Sequence, residues 1–125
     1  MKKLLFIPFL FACCIGMGQT AASLNVIGKP IKIGNLKIAQ HDFRDQMNWF
    51  DAQAACAKLG YGWRLPTKQE LNRWYPELKK LLDGSKYWSS TESGTNYAWS
   101  QGFGNHVQFN DAKDVIASVR AVRVF

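Results

Sequence analysis

Apolar and polar residues alternate over residues 30–33 and again over residues 36–38, on either side of Gly34 and Asn35. A period of two is the pattern of a strand with one buried face. A glycine-asparagine pair permits the positive dihedral angles of a two-residue hairpin turn. The pattern therefore predicts a β-hairpin as the first regular structure.

The spacing of apolar residues then changes to that of a helix. The apolar positions recur at steps of three, four and three residues, and they are Trp49, Ala52, Cys56 and Leu59. Such steps place side chains on one helical face. Asn48 can cap this helix, with Asp51 completing a weaker capping box, and Gly60 can end it in the left-handed conformation. We expect a helix that begins at Trp49.

A proline corner predicts the start of a second helix. Leu65 precedes Pro66 and is therefore biased away from helical dihedral angles. Thr67 can cap the next helix while Glu70 reaches back to it in a capping box. We expect this helix over residues 68–75.

Proline also predicts where the second helix is interrupted. Its buried side chains are expected to be Leu71 and either Trp74 or Tyr75. Pro76 interrupts it because proline lacks the N–H that a helix interior needs. Residues 76–82 are expected to resume as another helical turn.

The remaining apolar runs are short and separated by turn residues, which is typical of strands. The predicted strands cover residues 87–91, 97–103, 106–110 and 119–125, with a turn at residues 92–96 and another at Gly104 and Asn105. A hairpin, two helices and then several strands is an α+β order with segregated elements. The two helices are expected to pack on a mostly antiparallel sheet.

The N-terminal residues have the pattern of an export signal. Lys2 and Lys3 precede an apolar run over residues 4–15, and small residues follow at Gly16 and Gly18. We expect a signal peptide over residues 1–18, an exposed leader over 19–29 and a single domain over 30–125. The alternative is a lipoprotein cleaved before Cys13. The apolar run is too short to span a bilayer, so no transmembrane span is expected in the mature chain, which is expected to be extracytoplasmic.

Charge distinguishes poorly between partners. Removal of Lys2 and Lys3 lowers the formal net charge from +7 to +5. Excess charge of this size keeps a surface soluble, and it also attracts polyanions such as an acidic polysaccharide. The basic residues are scattered apart from Lys79 and Lys80, which favours the first interpretation. Nucleic acid is not expected as a partner.

The sequence contains no recognisable catalytic constellation. Cys56 is the one cysteine outside the signal region, so no internal disulfide is expected. Its small apolar neighbours favour a buried, inert thiol. The serines Ser89 and Ser90 are interpreted as hydrogen-bonded strand residues. No zinc spacing, nucleophile elbow or phosphate loop occurs, so no cofactor or metal is expected.

Arg64 has two interpretations, since an arginine between apolar strand residues either binds a ligand or forms a structural ion pair. We favour a pair with Glu70, Glu92 or another acid. Asp111 and Asp114 lack the clustered oxygens of a dedicated calcium loop.

Amide, imidazole and aromatic side chains after residue 96 make the best candidate ligand surface. Amide and imidazole groups supply both donors and acceptors to sugar hydroxyls, and an exposed aromatic ring can stack on a sugar. The predicted ligand-binding residues are Tyr97, Gln101, Asn105, His106, Gln108, Asn110 and Lys113. Tyr97 and Trp99 are expected on the same face of their strand. Most of the five tryptophans are expected in the core.

Six motifs together resemble one bacterial family. They are Met47-Asn48-Trp49, Ala55-Cys56-Ala57-x-Leu59, Gly62-Trp63-Arg64-Leu65-Pro66-Thr67-x-x-Glu70-Leu71, Tyr87-Trp88-Ser89-Ser90-Thr91-Glu92, Ala98-Trp99 and Val119-Arg120-Ala121-Val122-Arg123. In this order they resemble the C-terminal domain of the collagen-like adhesin Lcl. The resemblance implies a C-type-lectin-like fold, distantly similar to formylglycine-generating enzymes and phage receptor-binding proteins.

The chain departs from that family at Ala121. Family members often carry a cysteine there, which can pair with the cysteine matching Cys56, so the resemblance implies that a helix-to-strand disulfide has been lost. Packing of Trp49, Trp63 and Trp88 is expected to compensate. The catalytic cysteines of formylglycine generation and the proline-containing loops of calcium-dependent lectins are both missing.

We therefore expect an exported, non-enzymatic module that binds surface or matrix carbohydrate, with or without negative charge, independently of calcium. The alternative is a cell-envelope structural or assembly protein that binds another protein. An enzyme related to formylglycine generation is a remote third hypothesis.

Overall fold

The computed structural model describes residues 25–80, 82 and 86–125. The helices that we number are α1 (Trp49–Lys58), α2 (Lys68–Arg73) and α3 (Tyr75–Leu78). The strands are β1 (Ile31–Ile33), β2 (Leu36–Ile38), β3 (Lys86–Glu92), β4 (Tyr97–Gly102), β5 (Gln108–Ala112) and β6 (Val122–Val124). They form two antiparallel sheets with the orders β1-β2-β6 and β3-β4-β5. This is the predicted α+β arrangement.

The predictions for the N-terminus fall mostly outside the described residues. The signal peptide, its cleavage site, Cys13 and leader residues 19–24 all lie there. In the described end of the leader, Asn25, Gly28 and Lys29 are exposed, whereas Val26 and Ile27 are half-buried. Val26 and Ile27 pack against the core, and their carbonyls accept hydrogen bonds from the backbone of His41 and Gln40. Apolar contact and backbone pairing hold this end of the leader against the fold.

The predicted hairpin is present between β1 and β2. Ile33 pairs with Leu36 across the turn, and Gly34 has φ +59°. A side chain at Gly34 would collide with the ring of Trp74. Glycine is therefore required at this turn for both its dihedral angle and the close approach of Trp74.

Helix α1 begins and ends as predicted. The side chain of Asn48 accepts a hydrogen bond from the backbone N–H of Asp51 at 2.9 Å. Gly60 has φ +78°, the left-handed conformation expected after the helix. The whole predicted apolar face is buried.

The proline corner is held by a single carboxylate, that of Glu70. It accepts two hydrogen bonds from the Arg64 guanidinium, at 2.8 and 2.9 Å, and a third from the backbone N–H of Thr67 at 2.9 Å. The Thr67 hydroxyl accepts in return from the Glu70 N–H at 3.0 Å. The capping box is confirmed, and Glu70 is the partner of Arg64.

These contacts shift the titration of Glu70. Burial raises the pKa of its carboxyl, but the hydrogen bonds from Arg64 and Thr67 lower it more, so the pKa lies below its ordinary value. The charged form of Glu70 is thus stabilised by folding.

The second helix breaks earlier than predicted. Helix α2 ends at Arg73, Trp74 leaves the helical conformation with φ −97° and ψ 13°, and α3 follows at once. Pro76 lies in the first turn of α3, where its missing N–H removes no hydrogen bond. The predicted interruption therefore falls at Trp74 rather than at Pro76, and the predicted further helical turn is present as α3, which this proline helps to start. Leu71 and Tyr75 are buried, and Trp74 is half-buried.

Two strand predictions need correction at their ends. The loop between β4 and β5 spans residues 103–107, longer than the predicted turn, and is closed by a bond from Gly102 N–H to the Val107 carbonyl at 2.8 Å. Strand β6 is shorter than residues 119–125. Before β6 begins, the carbonyl of Val119 accepts from the backbone N–H of Phe43, and that of Ala121 accepts from the N–H of Ala39. The segment before β6 changes partners from residue to residue and so forms no continuous ladder.

The core has two hydrophobic clusters. In the first, which lies against α1, the apolar side chains surround three buried tryptophans, Trp49, Trp63 and Trp88. The indole N–H groups of Trp49 and Trp88 donate to the carbonyls of Ser89 and Met47 at 2.9 and 2.8 Å. The second cluster lies between the β1-β2-β6 sheet and helices α2 and α3, and its buried members are Ile33, Leu36, Ile38, Leu71, Tyr75, Leu78, Leu82, Tyr87, Phe103 and Val122.

Cys56 and Ala121 both belong to the first cluster. Burial raises the pKa of the Cys56 thiol to about 12. The thiolate is therefore scarce near neutral pH, and the interpretation of Cys56 as a buried thiol is confirmed.

Substitutions at the corner should separate its two functions. Thr67→Ala removes the cap and is expected to reduce the free energy of unfolding by about 1 kcal/mol at neutral pH.

Glu70→Gln keeps a capping oxygen but loses the charge. Because the folded-state pKa of Glu70 is lowered, its stabilising contribution is present above its ordinary pKa of 4.5 and is lost as the pH falls below it. Denaturant titrations from pH 7 to pH 3 should therefore show that the free energy of unfolding falls less for Glu70→Gln than for wild type. Equal losses would contradict this contribution.

A cysteine at residue 121 should restore the bridge that the family resemblance implies. Ala121→Cys is expected to form a disulfide with Cys56 under oxidising conditions and to raise the free energy of unfolding by about 2–4 kcal/mol. Mass spectrometry and denaturant unfolding check the two effects, with Ala121→Ser as the control. Two free thiols after oxidation would count against the implied pairing.

Candidate functional site

The seven predicted ligand residues do not share one exposed surface. Tyr97, Asn105, His106 and Asn110 are exposed, whereas Gln108 is half-buried. Gln101 and Lys113 are buried. The expectation of a continuous polar surface from residue 97 to residue 113 therefore needs correction.

Gln101 and Gln108 fasten the sheet to helix α2. The amide of Gln108 donates to the side-chain oxygen of Gln101 at 3.0 Å and to the carbonyl of Lys68 at 3.1 Å. Gln101 in turn donates to the carbonyl of Leu71 at 3.5 Å. Their hydrogen bonds join protein groups, so these two amides act here as internal connections.

The loop between β4 and β5 is fastened to α3. The His106 ring stacks on Tyr75 with 3.7 Å between centroids, and its Nε2 lies 2.9 Å from Oδ1 of Asn72. The Tyr75 hydroxyl donates to the Phe103 carbonyl at 3.2 Å. His106 is thus held at φ +57° by contacts that also limit its use as a ligand.

Only one aromatic of β4 is free on its outer face. Lys68 Nζ lies 3.5 Å from the ring centroid of Trp99, so that ring is covered. Tyr97 remains 49% exposed. Of the two, Tyr97 is the aromatic available for stacking.

Tyr97 and Phe50 line one cleft of about 290 Å³, and Asn96 and Asp114 line it as well. Phe50 is 58% exposed although it lies in α1. The prediction missed Phe50, Asn96 and Asp114. Phe50 had a detectable signal, since it is a large apolar residue off the buried face of an amphipathic helix.

Lys113 forms the floor of this Phe50–Tyr97 cleft and is only 4% exposed. Its ammonium donates to the carbonyl of Thr95 at 2.8 Å and pairs with Glu92. It also lies 4.4 Å from the ring centroid of Trp49 and 5.5 Å from that of Phe50. A predicted ligand cation is therefore a structural one that joins α1, β3 and the loop at residues 93–96.

Two other clefts contain charges that are already paired. The larger, about 500 Å³, has the Asp42–Arg120 ion pair on its wall at 2.6 Å. The other, about 350 Å³, contains Lys86, which pairs with Asp111 at 2.8 Å. Within the described part of the chain, no three His, Cys, Asp or Glu side chains group as a metal site.

Known structures with similar folds are snake-venom proteins of the C-type-lectin-like class. Botrocetin aligns with a TM-score of 0.60 at 12% identity, over 78% of this chain and 98% of its own. Botrocetin bound to a mutant von Willebrand factor A1 domain aligns with a TM-score of 0.63 at 12% identity, with the same coverage of 78% and 98%. EMS16, an antagonist of the collagen receptor integrin α2β1, gives 0.61 at 14% identity, over 77% and 97%.

The protein thus has the predicted C-type-lectin-like fold. No family model and no curated protein matches the chain. The resemblance to the Lcl C-terminal domain stays a prediction. Among the helices of the described residues, none is long and apolar enough to cross a bilayer.

Loss of the Lys113 charge should destabilise the fold around the cleft. Lys113→Met is expected to reduce the free energy of unfolding by about 1–3 kcal/mol, because the carbonyl of Thr95 loses its buried donor. Denaturant unfolding measures the loss, and Lys80→Met at an exposed position is the matched control. Equal stability of the two variants would show that Lys113 does not support the cleft.

Proposed function

We propose that this protein is an exported, non-enzymatic binding module that recognises surface or matrix carbohydrate at the Phe50–Tyr97 cleft. The observation that carries the proposal is a pair of exposed aromatic side chains lining one cleft that polar groups also line. Aromatic rings can stack on the apolar faces of sugars, and Asn96 and Asp114 can bond to the hydroxyls.

The framework of the cleft supports a preorganised site. The backbone N–H of Lys113 donates to the carbonyl of Asn96 at 2.8 Å, and the N–H of Trp49 donates to the carbonyl of Lys113 at 2.9 Å. These bonds tie the segments that carry Tyr97 and Phe50 to the same residue. A ligand that enters the cleft needs little ordering of the protein, which favours affinity.

Local charge favours a neutral sugar over an anionic one. Lys113 is neutralised by Glu92, and Asp114 adds a further negative charge at the rim. An anionic sugar would therefore meet repulsion here. Calcium-independent binding is supported by the pairing of two nearby carboxylates, Glu92 and Asp111, with lysine ammonium groups.

The N-terminal signal pattern supports an extracytoplasmic location with cleavage after Gly18. A relation to the Lcl C-terminal domain is part of this proposal. It is supported by the confirmed Arg64–Glu70 corner and by the tryptophan-rich first cluster, both built from the motif residues.

The second candidate function is binding of an envelope protein through an apolar patch beside the cleft. Val115 and Ile116 are exposed, and they follow Lys113, which is bonded to the start of α1 near Phe50. Two of the similar venom proteins have protein partners, since botrocetin forms a complex with a von Willebrand factor A1 domain and EMS16 is an antagonist of an integrin. Large exposed apolar side chains are typical of protein interfaces.

A glycan array with residues 19–125 tests the first candidate. Tyr97→Ala is expected to lower affinity about two- to tenfold, because an aromatic contact contributes about 0.5–1.5 kcal/mol. Tyr61→Ala, at another exposed aromatic, is the matched control. Binding should persist at raised salt and with a calcium chelator.

Three results would contradict carbohydrate binding at this cleft: no glycan signal, full binding by Tyr97→Ala, or equal loss in Tyr61→Ala. Capture of an envelope protein that is lost in Ile116→Ser, without any glycan signal, would support the second candidate.

A further inference from the structure

Three cations lie side by side across the β1-β2-β6 sheet. Lys32 is directly opposite Lys37, and Lys37 is directly opposite Arg123. Residues directly opposite each other in antiparallel strands project to the same face, with Cβ atoms about 5 Å apart. We call Lys32, Lys37 and Arg123 the cation row.

The cation row occupies the face of the sheet opposite the second hydrophobic cluster. The alternate residues of these strands belong to or pack against that cluster, and they are Ile31, Ile33, Leu36, Ile38 and Val122. Lys32 is exposed, and Lys37 and Arg123 are partly exposed. The row therefore faces away from the core and is open to solvent.

The three strands that carry the cation row contain no Asp or Glu side chain. The ion pairs formed among the described residues engage four other cations, which are Arg64, Lys86, Lys113 and Arg120. Like charges directly opposite each other destabilise a sheet, so the row works against folding stability.

Protection of a sheet edge explains only part of the row. Lysine on an edge strand discourages pairing with another chain, and Lys32 lies on the edge strand β1. Lys37 lies on the central strand β2, where no edge needs protection. A binding role accounts for the central cation as well.

An exposed aromatic ring belongs to the same surface. The ammonium groups of Lys32 and Lys37 lie 4.4 and 5.5 Å from the ring centroid of Phe125, which is 51% exposed. The clefts lined by Phe50, by Phe109 and by Arg120 contain none of the row's side chains. The row lies on open surface, which suits a broad flat partner better than a small ligand.

We propose that the cation row and Phe125 dock the protein on an anionic phospholipid surface. Lysine and arginine beside a membrane are attracted to anionic headgroups, and aromatic side chains favour the headgroup level. No ion pair of the described residues includes a member of the row, so headgroup phosphates can neutralise it. This surface is separate from the Phe50–Tyr97 cleft, and the inference does not depend on the proposed carbohydrate ligand.

Vesicle co-sedimentation of residues 19–125 tests the proposal, since residues 4–15 are apolar enough to bind lipid themselves. Vesicles of phosphatidylglycerol with phosphatidylcholine should bind the protein at low salt, and pure phosphatidylcholine should not. Each cation removed, by Lys37→Gln or Arg123→Gln, should weaken binding about fivefold. The double variant Lys79→Gln with Lys80→Gln has the same change in net charge as Lys37→Gln combined with Arg123→Gln, and it should bind like wild type.

Stability measurements separate binding from folding. Lys37→Glu places an acid between two cations and is expected to raise the melting temperature while abolishing vesicle binding. Unchanged binding by the row variants, equal loss in the Lys79 and Lys80 control, or binding to an acidic polysaccharide with none to vesicles would each overturn the proposal.

Discussion

The rest of the structure depends on the hydrogen bonds that the Glu70 carboxylate accepts. It receives the Arg64 guanidinium and caps helix α2 in one place. The backbone of Arg64 is paired with Val122 of β6, and the carbonyl of Pro66 accepts from Ser90 of β3 at 2.8 Å. One corner therefore joins both sheets to α2, and the direction of α2 brings Leu71 into the second cluster.

Local signals predicted the parts of the fold that local chemistry decides. Asn48 caps α1, Gly34 turns the first hairpin, and Thr67 with Glu70 forms the capping box, because each interaction spans only a few residues. The break at Trp74 was not predictable in this way. Trp74 packs against the hairpin turn at Gly34, about forty residues earlier in the chain. The spacing of apolar residues along a helix does not reveal a tertiary contact of this kind.

The candidate site was predicted less well for the same reason. The sequence predicted Lys113 and Gln101 as polar surface residues. Both are buried, because Lys113 pairs with Glu92 and Gln101 bonds to Leu71, and these partners come from distant elements. Amino-acid type indicated the kind of ligand chemistry and placed Tyr97 in the right region. Which side chains meet at the cleft depends on how α1 packs beside β4, so Phe50 could be suspected but not assigned. The cation row likewise needed strand register, which the sequence pattern alone does not specify.

Cys56 shows that the described residues form this fold without a disulfide. It is the lone cysteine of the described residues and lies in a cluster closed by tryptophan packing and satisfied indole N–H groups. In the native state its burial keeps the thiol from exchange with disulfides in solution. The stability of the described fold is therefore expected to be the same in oxidising and in reducing buffer.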